Sequence, residues 1–174
     1  MVTNQEKEIV KTLLWFVNLE PIESTELIEL TCEKAIGYSF ENYLEKSEVK
    51  IYENEQKRIR KWLNKLIKNP MLKSQYGEVN SVLARKTVIA TPYLHSGKLH
   101  HEYHATGTEG FTMLAIAKII ENKLGKYIFE CRNSECNIFN IYAWKPVKGR
   151  PREFCNSKCK DRYHSIQKAY KYKN

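Results

Sequence analysis

The sequence predicts an α+β protein, in which a mostly helical N-terminal part with a β-hairpin precedes a small C-terminal module. Three observations lead to this prediction. Several N-terminal stretches repeat apolar residues every three or four positions, which is the period of an α-helix. A β-prone stretch follows, interrupted at Ser96-Gly97 by a predicted turn. Four of the five cysteines lie between residues 131 and 159. The predicted domains are residues 1–125 and 126–174.

Four stretches of the N-terminal part have the pattern of amphipathic helices. In the first stretch, Ile9, Leu13 and Val17 fall on one helical face. Thr3 or Asn4 is placed to cap its N-terminus, because a short polar side chain can accept a hydrogen bond from the first turn. The predicted helices span residues 5–17, 23–35, 47–68 and 111–123.

The fourth predicted helix is apolar on most sides, which favours a central position in the core. Thr108 is placed to cap its start. Gly125 is placed just past its end, where a left-handed backbone conformation favours glycine. These two residues therefore predict where the helix begins and ends.

A β-hairpin is predicted over residues 79–105, approximately. Val88, Ile89 and Tyr93 favour a strand, and residues 98–105 form the predicted return strand. This hairpin is rich in histidine. A metal site or an acid–base site on one face is one interpretation, and a solvent-exposed face is the other, since exposed histidines are common in hairpins. The histidines are His95, His100, His101 and His104.

The C-terminal part contains two closely spaced pairs of cysteines. Four residues separate Cys131 from Cys136, three separate Cys155 from Cys159, and 18 residues lie between the pairs. Four thiolates are soft ligands that form a closed tetrahedral site suited to Zn²⁺. Such a site has no open position for a water, so the metal is expected to be structural rather than catalytic. Two disulfides or four unrelated core cysteines are the alternatives, and Cys32 is predicted to be a small core residue.

The residues around the cysteine pairs predict a hairpin followed by a helix. An apolar, β-prone run after the first pair suits one arm, and a stretch with two prolines and a glycine suits the turn. Asn156 or Ser157 is placed to cap a helix that carries Cys159 in its first turn. This order of elements is that of a treble-clef zinc finger. The predicted elements are a strand at residues 127–130, hairpin arms at 138–144 and 152–154, and a helix from about residue 157.

Residues 127–170, about a quarter of the chain, resemble the C-terminal CGNR-type zinc finger of bacterial transcription regulators. The matching features are the two cysteine pairs, the aromatic-rich strand after the first pair, the run Gly149-Arg150-Pro151-Arg152-Glu153-Phe154-Cys155 and the basic helix. The family has Cys-Gly-Asn-Arg at the last ligand, and this chain has Cys159-Lys160-Asp161-Arg162, so the first and last of these four match.

The resemblance implies a zinc-dependent finger that binds DNA in a bacterial transcription regulator. Members of the family also carry an N-terminal helical domain, described as stress-related or ABATE-like, of about the length of residues 1–125. A homodimer formed through this N-terminal part is a further expectation.

Positive charge is concentrated at the C-terminal end of the chain. Residues 126–174 hold 12 Lys or Arg and 4 Asp or Glu, a net charge of +8 out of +9 for the whole chain. Such an asymmetry is typical of a nucleic-acid contact. Charge alone does not distinguish DNA from RNA, and the resemblance to CGNR-type fingers favours DNA. A protein-interaction module with a purely structural zinc finger, or an RNA-binding protein, is the alternative. The predicted contacts are Arg150, Arg152, Lys158, Lys160, Arg162 and Lys168.

The remaining features favour a cytoplasmic protein that is not an enzyme. The sequence has no run of 18 or more apolar residues and no signal-peptide pattern at its start. Five cysteines, one of them unpaired, agree with a reducing compartment better than with a disulfide framework. No P-loop, G-x-S-x-G or H-E-x-x-H motif is present, and the predicted metal site is closed. No contact with a membrane is expected.

Overall fold

The structure is a computed structural model that describes residues 2–36, 49–68, 88–95, 98–105, 107–145, 148 and 151–171. Its helices are α1 (Asn4–Asn18), α2 (Thr25–Ile36), α3 (Val49–Lys68), α4 (Gly107–Glu121) and α5 (Ser157–Lys171), with a 3₁₀ turn at Leu124–Tyr127. Its strands are β1 (Val88–His95), β2 (Lys98–Ala105), β3 (Ile128–Glu130) and β4 (Phe139–Ile141). The predicted α+β class, with mostly helical structure and a small antiparallel hairpin, is confirmed. None of the helices within these ranges has the length and apolar character needed to cross a membrane.

The four predicted N-terminal helices are present, with ends that lie within four residues of the predicted ones; residues 47 and 48 lie outside the described part. Thr3 forms a capping box at α1: its hydroxyl accepts a hydrogen bond from the Glu6 backbone N–H (3.2 Å), and the Glu6 carboxylate accepts one from the Thr3 backbone N–H (2.8 Å). The Ser24 hydroxyl caps α2 by accepting from the Leu27 N–H at 3.2 Å. Local side-chain chemistry therefore sets both helix starts.

The ends of α4 differ from the predicted ones. The helix begins at Gly107, which has a φ of +61°, so Thr108 lies inside the helix and its carbonyl accepts from the Thr112 hydroxyl at 2.8 Å. At the other end Lys123, not Gly125, has the left-handed conformation, with a φ of 54°. Gly125 lies in the 3₁₀ turn, where an added Cβ would be 3.2 Å from the Leu66 carbonyl oxygen. Close approach of α3, rather than helix termination, is the reason for glycine there.

The core forms where α1, α2, α3 and α4 meet. α4 is buried along most of its length, as its apolar sequence predicts. Phe139 of β4 is 1% exposed and belongs to the same buried cluster, so the C-terminal part shares this core. Burial of large apolar side chains of this kind is the main stabilising contribution to folding. The largest fully buried side chains are Phe16, Phe111, Phe139, Ile9, Leu13, Ile28, Ile59, Leu63, Leu66, Met113 and Leu114.

The β1–β2 hairpin confirms the predicted pair of antiparallel strands. Its register runs from Val88 opposite Ala105 to His95 opposite Lys98. Residues 79–87 and the turn at residues 96–97 lie outside the described part, as do the side chains of both strands. The interpretation of the four histidines as a site stays a prediction.

The predicted pairing in the C-terminal part is wrong. β4 pairs with β3, with Ile128 opposite Ile141 and Glu130 opposite Phe139, and not with residues 152–154. Residues 152–154 form no strand, although the Glu153 carbonyl accepts a hydrogen bond from the Arg132 N–H at 2.8 Å.

Two polar side chains from the helices hold the β3–β4 turn against the body. The Asn18 amide donates to the Phe139 carbonyl (2.7 Å), and its oxygen accepts from the Phe139 N–H (2.8 Å). The Arg60 guanidinium donates to the carbonyls of Asn137 and Val17, both at 2.9 Å. It also lies 5.5 Å from the centre of the Phe139 ring. The division of the chain after residue 125 stays a prediction.

Replacing Asn18 with alanine is expected to destabilise the protein by about 2–4 kcal/mol, because both backbone groups of the buried Phe139 lose their partner. Urea unfolding measures the change in the free energy of unfolding. Asn4→Ala, the same substitution at an exposed position of α1, is the control and should change stability by about 0.5 kcal/mol or less. Equal effects of the two substitutions would contradict the role of Asn18.

Candidate metal centre

The four predicted cysteines come together in the structure. Their sulfur atoms all lie within 4.8 Å of one another, with Cys136 Sγ 3.5 Å from Cys155 Sγ and the latter 3.2 Å from Cys159 Sγ. All four are free thiols, so the disulfide alternative is wrong. In a tetrahedral site with metal–sulfur bonds of about 2.3 Å the sulfurs are about 3.8 Å apart. The cluster has that size and can hold a metal ion.

The first pair lies on the turn between β3 and β4. Cys131 follows β3 directly, and the chain turns so that the Cys136 N–H donates to the Asn133 carbonyl at 2.9 Å. Asn137 then adopts a φ of 46°, which lets the chain return into β4. Backbone N–H groups of Asn133 and Ile138 point at the sulfurs of Cys131 and Cys136, each two residues earlier. These donors stabilise thiolates, which are the metal-binding form.

The second pair lies where α5 begins, and Asn156 sets its geometry. The Asn156 side-chain oxygen accepts from the Cys159 N–H at 2.9 Å, so this residue, and not Ser157, is the cap. Its amide nitrogen lies 3.5 Å from Cys155 Sγ, to which it donates. Cys159 is therefore in the first turn of α5.

The thiols of the cluster differ in acidity. Burial raises the pKa of Cys155 above that of an ordinary thiol, and the neighbouring sulfurs of Cys159 and Cys136 raise it further. Burial likewise raises the pKa of Cys136. For Cys131 burial acts in the same direction, but hydrogen bonds from the Cys155 and Asn133 backbones outweigh it and lower the pKa. A cation among the sulfurs would oppose the raised pKa values of Cys136 and Cys155, since it favours the charged form.

Cys32 is separate from this cluster, as predicted. It is fully buried in α2, and burial, with the charges of Glu29 and Glu33, raises its thiol pKa. A buried thiol of this kind is an inert core side chain.

The helix α5 is attached to the β3–β4 turn mainly through this centre. No residue of α5 is buried. Beside the cysteines, the Tyr163 ring packs 5.4 Å from Phe154 and lies 5.1 Å from the Arg132 guanidinium. Arg132 also pairs with the Glu153 carboxylate at 2.9 Å. These contacts are exposed or half-buried, so they contribute little stability without the four sulfurs.

The predicted nucleic-acid contacts are exposed where the structure describes them. Arg162 forms an ion pair with Glu135 on the β3–β4 turn, and Arg150 lies outside the described residues. The exposed side chains are Arg152, Lys158, Lys160, Arg162 and Lys168.

Sequence reasoning missed the residues that support the first cysteine pair. Asn18 lies 121 positions from its partner and Arg60 lies 77 positions from Asn137, so no local pattern reveals either contact. Asn133 is 3% exposed although it is polar and lies in a turn. Its position between two ligand cysteines is the one signal that indicates a supporting role.

The chain was compared with known families and with curated proteins. No family model matches it, and no curated protein matches it. The function is therefore argued from the geometry of the cysteine cluster and from the charge around it.

Cys159→Ser is expected to weaken Zn²⁺ binding by more than about 100-fold, since even partners outside the ligand set are worth 10–100-fold in affinity. Competition with a chelating dye measures the affinity. The charge-transfer band of a Co²⁺-substituted sample reports thiolate ligation. Cys32→Ala is the matched control and should keep wild-type affinity and one metal per chain. Wild-type affinity in Cys159→Ser would contradict the proposed ligand set.

Removal of the metal is expected to expose α5 but not β4. Structural zinc is worth roughly 10–16 kcal/mol in small fingers, and α5 has no buried residue that could replace this contribution. Phe139, by contrast, is held in the helical core. Limited proteolysis after chelation should therefore cut within residues 151–171 and leave residues 128–141 protected. Equal protection of both regions with and without chelator would contradict this expectation.

Proposed function

We propose that the protein is a cytoplasmic, zinc-dependent transcription regulator whose C-terminal finger contacts DNA. The observation that carries this proposal is the cluster of four thiols, within 4.8 Å of one another, at the start of an exposed basic helix. The metal fixes the helix, and the helix presents positive charge to the phosphate backbone.

Zinc is the metal that this donor set favours. Four thiolates are soft ligands, and a tetrahedral sulfur site suits Zn²⁺ better than the harder Mg²⁺ or Ca²⁺, which prefer oxygen. The four sulfurs complete the coordination sphere, so the ion has a structural role and activates no water. The role of the centre is then binding rather than catalysis.

Charge placement supports a nucleic-acid partner. Residues 126–174 have a net charge of +8, and every residue of α5 is exposed or half-buried. A basic helix held on a near-neutral body steers polyanions towards one end of the molecule. The resemblance of residues 127–170 to CGNR-type fingers agrees with this interpretation and adds transcription regulation and bacterial origin to the proposal.

The relation to treble-clef fingers is also part of the proposal. In its favour, one cysteine pair lies on a β-turn and the other at the start of a helix. The hairpin that would normally separate the two pairs is not formed by residues 151–154. The finger would then be a reduced variant, in which the backbone hydrogen bond from the Arg132 N–H to the Glu153 carbonyl takes the place of the second strand pair among the described residues.

A protein-interaction module is the second candidate. It is favoured by Tyr170, which is 66% exposed near the end of α5 and offers an aromatic anchor of the kind that interfaces use. In that case an acidic protein would bind the helix, and the affinity for DNA would be negligible.

The zinc-loaded protein is expected to bind duplex DNA, with log affinity falling linearly as log salt concentration rises. Fluorescence anisotropy from 50 to 200 mM salt measures both quantities. Metal-free protein should lose this binding, because α5 is no longer positioned. An RNA duplex of the same length tests the RNA alternative. Absence of DNA binding at low salt would overturn the proposed function and favour the protein-interaction module.

A further inference from the structure

One side of α5 faces the metal centre. Cys159, Tyr163 and Ile166 are the half-buried residues of this helix, and the others that the structure describes there are exposed. Their spacing of four and three residues places them in one stripe along the helix axis. Tyr163 contacts the Phe154 ring on this side. The metal therefore fixes not only the position of α5 but also which side of it points outward.

A second stripe lies on another side of the helix and is basic. Lys160, His164, Lys168 and Lys171 are separated by four, four and three residues, and all are exposed. At 100° and about 1.5 Å per residue they form a row about 16 Å long, more than a quarter turn away from the metal-facing stripe. Asp161 borders this row and is the one acidic residue of α5. We call the three lysines of this row the lysine stripe.

The other basic residues of α5 lie elsewhere on the helix. Lys158 and Arg162 are four residues apart and share a side that is roughly opposite to the lysine stripe. Arg162 is paired there with Glu135 of the β3–β4 turn. The arginine of α5, which is the side chain best suited to recognise guanine by two hydrogen bonds, therefore points towards the turn rather than outward.

We infer that the lysine stripe follows the phosphate backbone of a DNA duplex and binds it independently of base sequence. This inference rests on the proposed function and specifies which side of α5 carries it and what part of DNA it recognises. Lysine binds phosphate as a point charge and lacks the planar fork that reads a base edge. Arg152 lines the cleft at the start of α5 together with Lys160, which extends the positive surface at that end.

The size of the electrostatic contribution follows from the number of lysines. Three phosphate contacts give a slope of log affinity against log salt of about −2.7, which is about a 40-fold loss of affinity from 50 to 200 mM salt. Each lysine removed should lower the magnitude of this slope by about one. At 50 mM salt the same relation gives a loss of about tenfold in affinity per lysine.

The test uses the full-length, zinc-loaded protein and two duplexes of equal length and unrelated sequence. Lys168→Gln and Lys171→Gln should each weaken binding about tenfold at 50 mM salt, equally on both duplexes, and flatten the salt dependence. Lys158→Gln removes the same charge from a position about 140° around the helix from Lys171 and should weaken binding by about threefold or less, through the long-range field alone. Zinc content and circular dichroism verify that each variant is folded.

Three results would overturn the inference, and they separate it from the proposed function. Equal losses for Lys158→Gln and Lys171→Gln would show that the lysine stripe has no special role, although DNA binding itself would stand. A preference of about 100-fold or more for one duplex, with a flat salt dependence, would show that bases are read. Failure of the wild-type protein to bind either duplex would overturn the proposed function and this inference together.

Discussion

The convergence of four sulfur atoms is the constraint on which the position of α5 depends. Cys131 and Cys136 belong to a turn that the core already holds in place, whereas Cys155 and Cys159 belong to a segment with no buried residue in its helix. A metal among them would connect a well-packed part of the chain to one that packs poorly. The free energy of metal binding would then serve almost entirely to position α5. This helix carries much of the excess positive charge of the C-terminal part.

Hydrogen bonding makes this asymmetry possible. The β3–β4 turn is attached to α1 and α3 by Asn18, which satisfies both backbone groups of the buried Phe139, and by Arg60, which donates to the exposed Asn137 carbonyl. The Asn156 side chain acts in a similar way on the other side of the cluster, since it caps α5 and also donates to Cys155. Each half of the site therefore has hydrogen bonds of its own that shape it locally.

Much of this architecture is predictable from sequence, because it follows from local periodicity and spacing. The helices α1, α3 and α4 each bury one stripe or more of apolar residues, and Thr3 marks a start by its capping box. The cysteine pairs predict the cluster, since their short spacing suits a turn and a first helical turn.

The partner of β4 could not be predicted in this way: β-prone residues 138–144 fit equally well beside either neighbouring segment. Gly125 has its reason in α3, about 60 positions away along the chain, and the contacts of Asn18 and Arg60 are equally remote.

The number of residues after Cys159 determines the direction in which each later side chain of α5 points. Because that cysteine and Tyr163 face the sulfur cluster, every later position of α5 has a fixed azimuth relative to the rest of the molecule. Deleting one residue between Cys159 and Lys168 would rotate everything downstream by about 100° and bring Lys171 onto the side of the helix that faces the metal centre. The amino-acid composition of α5 would hardly change, yet the outward-facing row of lysines would be broken. A substitution in α5 is therefore better tolerated than an insertion or a deletion between Cys159 and Lys171.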